Sequence, residues 1–132
     1  MILYSAPVLD ISGYATAARG YIRALYDAGV DIQIHLVKCD YRGSNDKFLD
    51  KETLEFFKKL IIKQRPKTDQ FIFISHSSSN VGFSLNGARK NCMYSVWETD
   101  KIPESFLPNL RKFDLIMTAS SFSKSAFLST FA

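Results

Sequence analysis

The chain has 132 residues, 46% of them hydrophobic and 14% aromatic, with 17 Lys and Arg against 13 Asp and Glu for a formal net charge of +4. That length suits one domain with a single core, residues 1–132, and the apolar content excludes disordered, collagen-like, coiled-coil and low-complexity classes. Apolar runs such as Phe71 to Ile74 fall far short of the roughly 18 residues of a membrane span.

Met1 to Ser5 is a short apolar run that breaks at Ala6-Pro7, and Asp10, Ser12 and Gly13 are the turn residues of a loop. From Tyr14 to Ala28, the residues Ala17, Ala18, Tyr21, Ile22 and Leu25 recur at helical spacing, and Gly29 is placed as the left-handed residue that ends the helix. Val30 to Val37 alternates as a half-exposed strand. Cys39 to Asp50 reads as a polar loop, and Lys51 to Lys63 as a helix with Leu54, Phe57, Leu60 and Ile61 on one stripe, stopped by Pro66. Gln70 to Ile74 reads as a central strand that opens into the polar loop Ser75 to Asn80. Cys92 to Val96 is a further strand and Trp97 to Lys101 a loop. Pro103 sits where a helix begins, Pro108 kinks or shortens it, Phe113 to Thr118 is the next strand, and Ser120-Ser121 opens a last helix.

Strands alternating with helices predict an α/β, Rossmann-like open parallel sheet with helices on both faces. Ligands of such sheets bind at the carboxyl ends of the strands, which directs attention to Ala6–Gly13, His76–Asn80, Trp97–Asp100 and Ser120-Ser121. A helix starting at Gly13 or Tyr14 turns free amides and a positive terminus toward that edge, a general anion site that a plain turn glycine fits equally well. His76 could be a general base or a hydrogen-bond donor to a sugar hydroxyl or phosphate, or only a loop residue bonded to backbone. Trp97-Glu98-Thr99-Asp100 places an indole beside two carboxylates, which suits stacking on a sugar face while accepting bonds from hydroxyls. The same residues could instead plug the core edge and prepare the Pro103 helix. Ser120 and Ser121 fit a helix cap better than a phosphate contact.

Several chemistries are disfavoured. There is no G-x-x-x-x-G-K-[ST], no G-x-G-x-x-G after the first strand and no G-x-S-x-G elbow. Cys39 and Cys92 stand far apart without ligand spacing, so reduced, buried cysteines are expected and no metal. The basic residues are scattered, which argues for a solvated surface rather than a nucleic-acid site and leaves a membrane surface open as a partner. No basic, apolar leader follows Met1, so a cytoplasmic protein is expected.

Three stretches carry a likeness to a known family: Ser12-Gly13-Tyr14 through Tyr21 with Leu25 to Val30; Tyr94 through Trp97-Glu98-Thr99-Asp100 to Pro103; and Phe113-Asp114 through Thr118 to Ser120-Ser121-Phe122-Ser123. Together they resemble the N-terminal domain of GT-B-type glycosyltransferases, close to glycosyltransferase family 4. Here Ser12 precedes Gly13 where family members carry two adjacent glycines.

The resemblance implies one half of a two-domain enzyme of hexosyltransferase type, with the acceptor bound by this domain. A nucleoside diphosphate sugar would be bound by a C-terminal domain or partner chain that this sequence lacks, so the chain alone is expected to be inactive. It implies sugar transfer with retention to a hydroxyl acceptor, with no cofactor beyond the nucleotide sugar as substrate. By the same likeness Gly13 approaches the donor's phosphates, His76 and Glu98 are the catalytic pair on the acceptor side, and Ser120 and Ser121 border the cleft. The rival expectation is a non-catalytic α/β module that binds carbohydrate or protein.

Overall fold

Five short strands, β1 (Ile2–Ala6), β2 (Ile32–Leu36), β3 (Ile72–His76), β4 (Lys90–Tyr94) and β5 (Leu115–Met117), form one sheet in the order β2-β1-β3-β4-β5. Every pairing is parallel. Helices α1 (Gly13–Asp27), α2 (Lys51–Leu60), the single turn α3 (Leu107–Leu110) and α4 (Ser121–Phe131) join and follow the strands, and a 3₁₀ turn at Glu104–Phe106 leads into α3. This is a computed structural model, and it describes residues 1–38, 48–67 and 70–131. The expected Rossmann-like open sheet is what the chain forms.

Local chemistry sets the helix ends. Ser12 Oγ accepts from the Ala15 amide at 3.1 Å, which caps α1, and Asp50 does the same for α2 through the Thr53 amide at 2.8 Å. These bonds hold the Asp50 carboxyl below its ordinary range. Gly29 ends α1 in the left-handed region, at φ 82°. Its amide bonds to Tyr26 O and the Val30 amide to Leu25 O, so the last carbonyls of the helix are satisfied.

The direction of each crossover decides which face it covers. From β1 the chain passes through α1 to β2, then through α2 to Ile61, which bridges Ile34 in parallel on the outer edge of β2. Both steps run the same way along the sheet, so right-handed crossovers put both helices on one face. There Ala18, Ile22 and Phe57 pack on Tyr4, Ile32, Ile34 and Ile74. The steps from β3 to β4 and on to β5 run the other way and use the opposite face. Side chains alternate across the sheet, so that face presents Leu3, Phe73 and Met93. Phe83, from the segment after β3, lies against Phe73 at 5.2 Å between ring centres, and Met93 packs with Ile102, Leu110, Ala126 and Phe127.

Several boundaries differ from the sequence reading. The strands expected at Val30 to Val37 and Phe113 to Thr118 shorten to Ile32–Leu36 and Leu115–Met117, and three other differences have a physical cause. The helix expected to run to Lys63 stops at Leu60, because Ile61 turns extended (ψ 123°) to reach Ile34, and the Ile62 amide donates to Ile34 O at 2.9 Å. The strand expected at Gln70 to Ile74 runs from Ile72 to His76, and the one expected at Cys92 to Val96 runs from Lys90 to Tyr94. Backbone pairing, not side-chain polarity, fixes these limits: Ser75 stays in register with Ser5 and His76 with Tyr94. Burial on both faces is also incomplete. On the side of α1 and α2, Ile72 of β3 is left 37% and Leu115 of β5 52% exposed. Cys92 is buried and reduced, whereas Cys39 and most of the loop expected from Cys39 to Asp50 lie outside the described residues.

Candidate functional site

Buried polar atoms normally find partners, so those that do not are informative. Among the described residues three buried side-chain atoms lack a protein partner: Asp10 Oδ2, His76 Nε2 and Thr118 Oγ1. All three lie at one edge of the sheet. Asp10 is in the loop after β1, His76 ends β3 and Thr118 follows β5. This is the carboxyl edge, where open parallel sheets bind ligands.

His76 is the best defined of the three. It is fully buried as the last residue of β3 rather than a member of the polar loop that follows. Four tyrosines surround it. Tyr94 of β4 lies at 4.5 Å between ring centres, Tyr4 of β1 and Tyr14 of α1 at 5.7 Å, and Tyr21 of α1 at 6.1 Å. Tyr4 Oη meets His76 Nδ1 at 2.7 Å, and the Tyr21 and Tyr94 hydroxyls meet each other at 3.0 Å. Burial drives the imidazole pKa down to about 4 and raises those of both tyrosines that flank it on the sheet, Tyr94 to about 12 and Tyr4 further still. At neutral pH His76, Tyr4 and Tyr94 are therefore uncharged. Such an imidazole is a weak base, better suited to donating a hydrogen bond than to removing a proton.

The loop after β1 is held from the second turn of α1. Arg19 reaches back to donate to Val8 O and Asp10 O, both at 2.8 Å, while Asp10 Oδ1 accepts from the Ile11 amide. Gly13 opens the helix, exposed, with no heavy atom within 4 Å of where a Cβ would stand. Space rather than strain distinguishes this glycine. Its amide and that of Tyr14 belong to the first turn and have no intrahelical acceptor.

The segment after β4 forms a tight turn around Trp97. The indole N–H donates to Thr99 Oγ1 at 2.7 Å and Lys101 O at 3.0 Å, the ring meets Phe106 edge-on at 5.8 Å, and Thr99 Oγ1 donates to Lys101 O. Ser123 of α4 bonds both the amide and the carbonyl of Trp97. The turn and α1 enclose a cleft of about 260 Å³ lined by Tyr14, Ser78, Val96, Trp97, Glu98 and Thr99. A larger hollow of about 720 Å³ between α1 and α2 is lined by Arg23, Asp50, Phe56 and Lys59, among others; the three orphaned atoms line neither hollow, but His76 packs against Tyr14 of the smaller one.

The fold thus gathers Tyr14, Trp97, Glu98 and Thr99 into one cleft, with His76 against Tyr14 behind it. Gly13 adjoins Tyr14 in the chain. Asp100 is exposed and outside the lining. Ser120 Oγ accepts from the Ser123 amide and so caps α4, and Ser121 is exposed in its first turn. Sequence reading did not single out Tyr4, Tyr94, Asp10, Ser78 or Thr118 as site residues, and it placed Tyr21 only on the helical stripe. One signal was present: Tyr14 and Tyr21 are seven residues apart and share a face of α1.

No family model, curated protein or solved structure matches the chain. Among the described residues no helix is long and apolar enough to cross a membrane, and no cluster of His, Cys, Asp and Glu could hold a metal ion.

Proposed function

We propose that the chain is the acceptor-side domain of a retaining glycosyltransferase, one half of a GT-B-type enzyme that works in the cytoplasm. The observation that carries this reading is the cleft at the carboxyl edge, where Tyr14, Trp97 and Glu98 converge in front of a buried His76 with an unpartnered Nε2. A cleft walled by aromatic rings, with a carboxylate to accept from hydroxyls and a buried imidazole behind it, suits a carbohydrate in chemical terms.

In the transfer the acceptor oxygen forms a bond to the sugar's anomeric carbon as the bond from that carbon to the diphosphate breaks. The acceptor's proton leaves with the nucleoside diphosphate. Glu98 receives hydrogen bonds from the acceptor and His76 donates one to it. The Gly13 and Tyr14 amides at the start of α1 favour the diphosphate's growing charge. Trp97 and Thr99 shape the wall through the bonds they make to each other. In this reading Asp100, Ser120 and Ser121, all exposed and outside the cleft lining, face the second domain or partner chain that carries the nucleotide sugar. No nucleic acid and no metal enters this scheme, and a membrane surface remains compatible with the acceptor.

The test uses the native protein purified from its source. It is incubated with a panel of nucleoside diphosphate sugars and simple glycosides, and nucleoside diphosphate release and product are measured. Transfer that falls at least tenfold in Glu98→Gln supports the reading, and carbohydrate binding indifferent to nucleotide, with no transfer, replaces it. The outcome would then be the binding module, a reading favoured by Phe122, Leu128 and Phe131, which α4 leaves 54%, 59% and 39% exposed.

A further inference from the structure

The contact between Tyr4 and His76 decides which imidazole nitrogen carries the proton. Two arrangements fit a separation of 2.7 Å between Tyr4 Oη and His76 Nδ1. If Nδ1–H donated to Tyr4 Oη, the tyrosine's own proton would need another acceptor, and Tyr4 Oη has none among the described residues. If Tyr4 O–H donates into the Nδ1 lone pair, the Tyr4 hydroxyl and Nδ1 are both satisfied, and the imidazole proton sits on Nε2, the nitrogen without a protein partner. Tyr4 is 3% exposed and keeps its proton far above neutral pH, so the second arrangement stands throughout the working range.

We propose that Tyr4 is a positioning residue that locks His76 as a fixed Nε2–H donor to a ligand oxygen, neutral or anionic. The geometry favours such an oxygen over a cationic or donor-only group, because the atom presented is a donor in an uncharged surround. Among the described residues the titratable rings packed against His76 are Tyr4 on β1, Tyr14 and Tyr21 on α1, and Tyr94 on β4, and burial, not a neighbouring charge, sets its pKa. Tyr14 belongs both to this cage and to the cleft in front of it, so its ring is the wall between the two. The inference rests on the proposed function only for what supplies the oxygen, a sugar hydroxyl or a phosphate.

The experiment is nitrogen NMR of the chain labelled with ¹⁵N-histidine at neutral pH, with His35→Gln to assign the two rings. The expected wild-type spectrum shows His76 protonated on Nε2 and bare on Nδ1. Tyr4→Phe is expected to raise the Nδ1–H share about tenfold, as loss of one hydrogen bond allows, while Tyr21→Phe leaves it unchanged. A wild-type His76 protonated on Nδ1 overturns the proposal, and so does a folded Tyr4→Phe with the wild-type tautomer. Should Tyr4→Phe fail to fold, the wild-type spectrum alone decides. Titration with methyl glucoside and, separately, inorganic phosphate then reads the Nε2 shift. Movement with one identifies the source, and movement with neither overturns the donor role. These spectra do not depend on sugar transfer, so a correct tautomer in a protein without transferase activity would defeat the proposed function and leave this inference standing.

Discussion

Two regions of the carboxyl edge treat their polar groups in opposite ways. In the turn after β4, the Trp97 indole N–H, the Thr99 hydroxyl and the Trp97 main chain are all bonded within the protein. In the cage at the end of β3, His76 keeps one nitrogen without a protein partner although the ring is completely buried. The comparison teaches that the more distinctive motif in the sequence is the scaffold of the cleft, and the plainer residue is its chemically open group. Of the Trp97 to Asp100 motif, Glu98 is the lining residue with an acceptor left for a ligand.

The comparison can be broken by removing its parts in turn. Trp97→Ala takes away the ring packed on Phe106 and the centre of the turn, and a loss of about 3 kcal/mol is expected in urea unfolding. A loss within experimental error would show that the turn does not anchor α4.

The next effect is a pH dependence. The His76 pKa lies at about 4 in the folded chain against 6.5 for a free imidazole. Between those values the unfolded chain binds a proton that the folded chain does not, so stability falls as the pH drops from 6.5 to 4. This group adds no further loss below that range. The full swing is up to ~3 kcal/mol for so buried a ring. Burial also lowers the pKa of His35, which pulls in the same direction, so the quantity to measure is the wild-type slope minus that of His76→Phe. Equal slopes in the two proteins would place the titration elsewhere. At the alkaline end Tyr4 and Tyr94 hold their protons longer when folded, and stability declines as pH rises above 10.

Smaller effects sharpen the contrast. Thr99→Val removes the hydroxyl that receives the indole N–H and should cost about 1 kcal/mol, read as a shift in the urea midpoint. Glu98→Gln should leave that midpoint where it is, since the side chain is exposed, while weakening carbohydrate binding measured by calorimetry. A shift in stability with unchanged binding would make Glu98 part of the scaffold too.

The fold was legible because its signals are local. Gly29 ends α1 where a glycine after an amphipathic run should, and the change from helical to alternating spacing at Val30 marks the next strand. The site was legible by position only. That His76 lies near the end of an apolar strand could be read directly, but its place inside that strand and its burial depend on Tyr4, 72 residues away in the chain, and on which strands become neighbours. The same limit explains the role of Trp97: Thr99 and Lys101 are near it in sequence, but the Ser123 contact that ties the turn to α4 spans 26 residues. The early stop of α2 was hidden for a related reason, since Ile61 gains more from the edge of β2 than from one more helical turn.

That bridge at Ile61 also gives the sheet a finished side and an open one. Outside β2, the Ile62 amide already occupies a backbone acceptor that a stray strand would seek. Outside β5 no strand stands among the described residues, and Leu115 is half exposed there. Unpaired strand edges template further pairing, in ordered assembly and in aggregation alike. The two sides therefore differ in what they offer a further strand: β2 is met at Ile34 by the chain's own Ile61, whereas β5 presents an edge of three residues.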